Sequence, residues 1–268
     1  MNGPKILVLD VETAPIEAYV WGLFDQNIGI NQIKHDWYFL MWAAKWYDEP
    51  ASKILYMDNH KTKNIRNDLK LIKGLWNLLN QADIVVTQNG DRFDLRRFNA
   101  RAIIHGLPPV SPFKSTDTLK ESRKTFGFTS HKLGYMSKVV NKKYKKLKHE
   151  KYPGFELWKA ILEGDQKAWK EMKIYCINDV LATEEFLKLT RGWIKTQNLA
   201  SYFDDAKLRC RCGSTNLYKK GFVYTDVGKF QGYRCKDCGK RPRGSVNLVN
   251  KIYKKKSKQL LKESNYGG

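Results

Sequence analysis

The sequence predicts an α/β domain followed by a small domain held by cysteines. Three observations carry this expectation. Short β-rich apolar runs alternate with longer segments whose apolar residues recur at helical spacing. Four of the five cysteines fall between residues 210 and 238, in a stretch with little helical periodicity. The chain has 268 residues, enough for one or two domains with a real core, and its 42% hydrophobic and 13% aromatic content excludes wholesale disorder.

Taken in order, Lys5–Leu9 is a short apolar run ending in Asp10, as a buried strand requires. Residues 14–36 are irregular and rich in Ile, Trp and Tyr. Phe39–Tyr47 and Lys53–Met57 read as two more strands. Asp68–Gln81 places Leu69, Ile72, Leu75, Trp76 and Leu79 at helical spacing. Asp83–Thr87 is a buried strand that stops at Gln88-Asn89-Gly90. Asp91–His105 is an amphipathic helix closed by Gly106 and Pro108-Pro109. Phe113–Thr116 is a short strand leading to Asp117. Ser130–Val140 reads as a helix with a serine cap, and Asn141–Pro153 as a lysine-rich loop. Asp165 caps a long helix reaching about Thr190, and Leu199–Asp205 reads as a linker. The expected division is 1–200 for the α/β domain, 206–248 for the cysteine domain and 249–268 for a flexible basic tail.

Charge narrows the class of partner. Lys and Arg number 49 against 27 Asp and Glu, a net charge of +22. That balance suits a polyanion, of which nucleic acid is the commonest, and not a small cationic substrate. Residues 206–268 hold 17 basic and 3 acidic side chains, so the last quarter carries most of the excess. A second basic zone runs from Lys132 to Lys151 and includes Lys142 and Lys143. Two separated basic zones suit a long strand contacted twice. The opening MNGPKILVLD has four consecutive apolar residues, short of a signal h-region of roughly 7–15. No stretch reaches the ~20 apolar residues of a membrane span. The expectation is a soluble, non-exported protein with no membrane partner; protein partners are not legible.

Within this basic chain, acids at the ends of predicted elements stand out. Asp10 and Glu12 form D-x-E, and period-2 geometry puts both side chains on one face. Asp94 lies in N-G-D-R-F-D just after a predicted strand. Tyr175 and Asp179 lie one helical turn apart on the late helix. Each pattern alone is ordinary: a surface turn, a helix cap, a solvated pair. Four carboxylates converging from separate elements would repel one another unless cations sat between them. Two Mg²⁺ or Mn²⁺ roughly 3.5–4 Å apart are the usual solution, and such a pair clamps both oxygens of a phosphodiester displacement.

LVLDVETAP resembles the first motif of the DEDD 3′–5′ exonucleases, and NGDRFD the second motif in the proofreading domain of family B DNA polymerases. YCIND resembles the third motif, Y-x3-D, of the DEDDy subgroup, and the segment from Asp117 through SHKLGYMSKVVN resembles the stretch joining motifs two and three. The chain is most similar to stand-alone exonuclease-like proteins of bacteria and their phages, over about residues 5–190. The resemblance implies a ribonuclease H-like mixed sheet flanked by helices and a cytoplasmic setting in a bacterial or phage-infected cell. It implies that Asp10 bridges two metals, that Glu12 and Asp179 hold the one binding the attacking water, and that Asp94 supports the second. Tyr175 would orient that water. The other subgroup has His five residues before the last Asp, where this chain has Ile174. Asn89 and Phe93 match flanking positions that hold the scissile end, and serve equally as turn and core residues. His131 is either a phosphate contact or a plain surface histidine, Asp117 either a support for the site or a helix cap. Trp37, Trp42 and Trp46 are base-stacking or core residues. Lys132, Lys142 and Lys143 are candidate backbone contacts.

Cys210-Arg-Cys212-Gly and Cys235-Lys-Asp-Cys238-Gly form two knuckles, and four thiolates suit one tetrahedral Zn²⁺. A glycine after each knuckle permits the positive φ of a tight turn. About 40 residues hold little core, so metal would supply folding energy. The segment resembles zinc ribbons of transposases and similar nucleic-acid proteins, except that its first knuckle is C-x-C where theirs is C-x-x-C. A redox pair or unbound thiols is the competing interpretation. Lys219, Lys220, Phe222, Tyr224, Lys229, Phe230, Tyr233 and Arg234 interleave between the knuckles, a pattern suited to phosphate neutralisation and base stacking.

The expectation is therefore a metal-dependent 3′–5′ exonuclease acting on DNA or RNA, single-stranded 3′ ends above all. Its alternatives are a catalytically silent nucleic-acid-binding module and a structure-specific endonuclease.

Overall fold

A computed structural model describes residues 3–147, 151–226 and 228–249. Most of the basic tail, 250–268, together with Lys148, lies outside the described residues. The described chain falls into two compact units, Pro4–Thr190 and a second made of Gly3 with the chain from Arg191 onward.

The larger unit begins with β1 (Ile6–Thr13), a small pair β2 (Glu17–Ala18) and β3 (Ile33–His35), then β4 (Phe39–Trp46) and β5 (Leu55–Asp58). It continues through α1 (Leu69–Leu79), β6 (Ile84–Thr87), α2 (Asp94–Ile104), β7 (Lys114–Asp117), α3 (Thr118–Thr125), α4 (Leu133–Val140), α5 (Glu156–Leu162) and α6 (Gln166–Thr190). The five-stranded sheet has the order β5-β4-β1-β6-β7. The meander β1-β4-β5 is antiparallel, whereas β6 and β7 run parallel to β1, each reached through a helical crossover. The sheet is thus mixed and flanked by helices.

Alternation along β1 sorts its two faces. Leu7, Leu9 and Val11 join Leu71, Ile72, Leu75, Leu79 and Phe98 in the core beneath α1 and α2. The intervening positions, Val8, Asp10 and Glu12, face the side that α6 crosses. Trp42 is core, its indole N–H donating to Leu71 O at 2.9 Å, and Trp46 packs on the same cluster.

Polar anchors set the position of α6. Lys45, 1% exposed, meets Glu184 at 2.8 Å and donates to Glu49 O at 2.6 Å, so the buried ammonium is fully engaged. The Glu185 carboxylate collects the backbone N–H groups of Lys142, Lys143 and Tyr144 at 2.7–3.2 Å. Asn141 donates to Ala182 O at 2.8 Å. These bonds strap the lysine-rich loop along α6. Asp165 caps that helix, accepting from Lys167 N at 2.7 Å.

Three local expectations change. β1 runs to Thr13 because β4 pairs with it that far, so Asp10 and Glu12 lie within the strand and not at its end. The α4 helix starts at Leu133; Ser130 Oγ accepts from Lys132 N at 3.3 Å, one turn outside it. Helices α3 and α5 are additional, too short to show a helical period in the sequence.

In the smaller unit, β8 (Leu217–Thr225), β9 (Gly228–Cys235) and β10 (Arg243–Asn247) form an antiparallel sheet of order β10-β9-β8. Segment 199–202 is a 3₁₀ turn inside the expected linker. Among the described residues, no helix is long and apolar enough to cross a membrane.

Candidate functional site

The acidic site grows out of a mismatch in strand length. β6 pairs with β1 only from Ile6 to Val8. Beyond Val8 the edge of β1 facing β6 has no strand neighbour. There the N–H of Val11 donates to Asp94 Oδ1 at 3.1 Å, so the first residue of α2 closes the gap that β6 leaves. Asp10 and Glu12 flank that bond, and Asp94 is only 3% exposed.

The turn before α2 is held from below. Asn89 has φ of 70°, and a Cβ on Gly90 would meet Thr87 Oγ1 at 2.2 Å. Asp117 accepts from Asn89 N at 2.9 Å and Asp91 N at 3.3 Å, and also caps α3 through Leu119 N at 3.0 Å. It thus caps α3 and also holds the turn that leads into α2. Phe93 packs on the core and lies against Arg97, with 5.3 Å between the guanidinium and the ring centre.

From the other side, α6 contributes Tyr175 and Asp179, both buried. Cys176 beside them is core, its thiol approaching Asp10 O at 3.7 Å. The strapped loop adds Lys146, which bonds the Asp179 carboxylate and holds its ammonium 4.3 Å from the Tyr175 ring centre. Lys146 was not singled out in the sequence from the other lysines of its run; only the Glu185 anchor and the course of the loop select it.

Electrostatics confirm that these groups sense one another. Burial, then Asp179, Glu12 and Asp94, pushes the Asp10 carboxyl well above its ordinary range. Burial and Asp179 raise Glu12 to about 8. Burial raises Asp94 to about 7, against the pull of its backbone hydrogen bonds. Burial and then Asp179 also raise Tyr175, so its hydroxyl keeps its proton at neutral pH. For Lys146, burial works against the charge, but Asp179 and Tyr175 prevail and the ammonium is retained.

Such a cluster of reluctant carboxylates is what a divalent cation relieves. Asp10 Oδ2 is buried with no hydrogen-bond partner among the described residues, a vacancy in bonding that a cation would satisfy. All the donors are carboxylate oxygens, so hard cations fit. Asp10, Glu12, Asp94 and Asp179 are the side chains that could hold them.

The second candidate centre is the cysteine group. Cys210, Cys212, Cys235 and Cys238 place their sulfurs all within 4.8 Å of one another, the single such cluster of metal-binding side chains among the described residues. The Cys210–Cys238 and Cys212–Cys235 sulfur separations are 3.6 and 3.7 Å. A tetrahedron with Zn–S of ~2.3 Å has edges of about 3.8 Å, whereas a disulfide needs ~2.05 Å. The donor set and spacing are those of a zinc site. The short knuckle still delivers both thiols, because Gly213 at φ 87° turns the chain so that its N–H donates to Cys210 O at 2.8 Å. Gly239 at φ 75° does the same for Cys235 O at 3.0 Å.

The remaining candidates do not join the acidic group. The His131 ring meets Ser122 Oγ at 2.8 Å, and its carbonyl accepts from Gln88 beside the Asn89 turn. Lys132, Lys142 and Lys143 are exposed. In the smaller unit the basic and aromatic residues stack on each other: Lys229 on Phe222 at 4.0 Å and Arg243 on Phe230 at 3.9 Å.

A mixed sheet in this order, with buried carboxylates gathered where β1 outruns β6, defines a nuclease-type α/β domain. The profile of the RNase_H superfamily matches residues 29–190, and the chain belongs to that superfamily. A DNA polymerase of Methanocaldococcus jannaschii is 31% identical over 91 residues, which are 33% of this chain and 6% of the polymerase. Among solved structures, the family B DNA polymerase of the hyperthermophilic archaeon Pyrobaculum calidifontis superposes with a TM-score of 0.51 at 16% identity. That match covers 71% of this chain and 25% of the polymerase, and it is a likeness of fold. The chain spans a quarter or less of each of these polymerases.

Proposed function

We propose that this chain is a divalent-metal-dependent 3′–5′ exonuclease that removes nucleotides from single-stranded 3′ ends of DNA or RNA. The observation that carries the reading is that Asp10 and Glu12 on β1, Asp94 on α2 and Tyr175 and Asp179 on α6 lie within electrostatic reach of one another. The polarity rests on the resemblance of the three motifs to those of DEDDy exonucleases.

Asp10, Glu12, Asp94 and Asp179 would hold two Mg²⁺ or Mn²⁺. When bound, the cations supply positive charge to the phosphodiester and acidify a water molecule. The chain's own groups do the rest. Tyr175, protonated at neutral pH, orients the attacking water through its hydroxyl. Lys146, cationic and paired with Asp179, would offer its charge to the substrate phosphate. Asn89 and Phe93, on the turn that Asp117 holds, border the scissile nucleotide, and His131 and Lys132 the phosphates beyond it. The smaller unit, with Zn²⁺ on its four cysteines, holds the strand through Phe222, Tyr224, Lys229 and Arg243.

A 5′-labelled single strand with Mg²⁺ or Mn²⁺, run beside the same strand with a blocked 3′ end and beside matching RNA, tests the reading. The expected result is a ladder shrinking from the 3′ end and stopped by the block. Internal cuts in the blocked strand would make it an endonuclease. No cleavage by folded, metal-loaded protein would leave a binding module.

A further inference from the structure

An exposed apolar surface lies on the connection between β2 and β3. Trp21 is 98% exposed, Leu23 and Ile30 89% each and Phe24 83%, and Tyr19 is largely exposed as well. Single exposed apolar residues are ordinary, but five of this size within the twelve positions 19–30 are not. A free aromatic side chain offers roughly 150–250 Å². Three of them with two aliphatics approach the ~800 Å² that one partner gives to a stable interface.

The loop that presents these side chains is tied across its base. β2 pairs with β3 through Glu17–His35 and Ala18–Ile33. Tyr19 N–H donates to Gln32 O at 2.9 Å, and the Gln32 side-chain amide donates to Tyr19 O at 3.0 Å. The same amide accepts from Gly29 N at 2.8 Å. Arg66 pairs with Glu17 at 3.1 Å. Asp25, at φ 50°, turns the chain next to Phe24, and Gln26 donates to Phe24 O at 2.9 Å. A loop already held by its own hydrogen bonds has less freedom to lose on docking, so more of its apolar surface is realised as affinity.

Charge says what covers it. Residues 6–33 hold no Lys, Arg or His, the longest such run in a chain of net charge +22. Their charged side chains are all acidic: Asp10, Glu12, Glu17 and Asp25. A nucleic-acid surface needs basic side chains for the phosphates, so this loop is not part of a strand's path. An anionic lipid surface is disfavoured for the same reason. Two copies of so basic a chain repel one another, and a stretch without basic side chains is where they meet with the least repulsion. A two-fold contact is self-complementary, so the loop of each copy supplies both the apolar anchors and their apolar counterpart.

We propose that the 19–30 loop is a self-association surface through which two copies of this chain form a two-fold dimer, with Trp21 and Phe24 as its central anchors. The proposal is independent of the exonuclease reading, because it uses none of the chemistry of the acidic site.

The test is the mass in solution of the full chain, freed of nucleic acid, from about 1 to about 100 µM. Sedimentation should show a reversible monomer–dimer equilibrium. It should tighten as NaCl rises from ~50 to ~500 mM, since salt screens the repulsion between basic surfaces and spares the apolar contact. Trp21→Ser combined with Phe24→Ser should weaken dimerisation more than about 100-fold at unchanged melting temperature. Both side chains are exposed in the single chain, so their loss does not cost the fold. Ile103→Ser, at another exposed apolar side chain, on α2, should dimerise as the parent does. A parent that stays monomeric at the highest concentration would overturn the proposal and leave the loop to a different protein. Dimerisation of the double variant at the parent's strength would overturn it too, as would growth past the dimer or an equal loss in Ile103→Ser. Cleavage is assayed separately. A dimer that cuts no strand leaves this proposal standing and sinks the exonuclease reading; a monomer that cuts does the reverse.

Discussion

The two units of this chain handle charge and metal in opposite ways. Pro4–Thr190 has an apolar core of its own, running from Leu7 through Phe98 to Phe186, and its acids sit in a pocket on a finished scaffold. In the unit from Arg191 onward, the buried apolar side chains among the described residues are Ile194, Cys210 and Cys235. Close backbone approaches replace a core there: a Cβ on Gly192 would meet Cys238 O at 2.2 Å, and Lys240 reaches Ile194 O at 2.8 Å. A metal in the first unit would relieve a strain that the fold has already built in. In the second it stands in for the missing core.

The sharpest way to break that contrast is to remove zinc. Cys235→Ala, or a strong chelator, is expected to unfold the smaller unit, since structural zinc contributes on the order of 10 kcal/mol in such domains. Limited proteolysis should then cut after residue 190 and leave the larger unit intact. Joint loss of both units on chelation would show that the separation is wrong.

The acids come next. Asp94→Asn keeps the acceptor for Val11 N–H but removes a charge, and should lower cleavage more than about 100-fold with the fold retained. Stability should move the other way. The Asp94 and Glu12 pKa values rise from 3.8 and 4.5 to about 7 and about 8, so the folded, Mg²⁺-free state binds more protons than the unfolded one in between. Stability without Mg²⁺ or Mn²⁺ therefore falls as pH rises from about 4 to about 8. Thermal unfolding across that range should show the decline in the parent and a shallower one in Asp94→Asn. At pH 8 the variant should be the more stable by on the order of a few kcal/mol, and added Mg²⁺ should narrow the gap. A parent protein whose stability does not change between pH 5 and 8 would refute the clustering of charge.

The smallest effect is on binding. A chain ending at residue 190 should fold, keep its cleavage at low salt and lose about tenfold in strand affinity at ~150 mM salt, with a reduced salt slope. Equal affinity with and without the smaller unit would remove its assigned role as a tether.

Residue spacing made much of this legible in the sequence. D-x-E, Y-x3-D and the cysteine knuckles are short-range patterns, and strand and helix periods say which of their side chains share a face. Strands β1, β4, β5 and β6 were likewise visible as apolar runs. Lys146 was not, because its run holds several equivalent lysines and only the anchoring of the loop by Glu185 and Asn141 singles it out. The Trp37–Arg97 stack was also hidden, since its partners lie 60 residues apart in sequence. The site position of Asp94 depends on how far β1 runs past its pairing with β6, which no local pattern marks.

What the sequence determined alone is chemistry and local geometry: which residues carry charge, which thiols pair into knuckles, which acids share a face of a strand or helix. Those follow from repeats of two and 3.6 residues, which need no distant partner. Only the tertiary structure decided which acids meet. The bond from Val11 to Asp94 spans 83 residues and the Lys146–Asp179 pair spans 33. Such contacts form when sheet pairing and helix packing bury the apolar faces. The buried carboxylates are held together by that apolar burial in spite of their mutual repulsion.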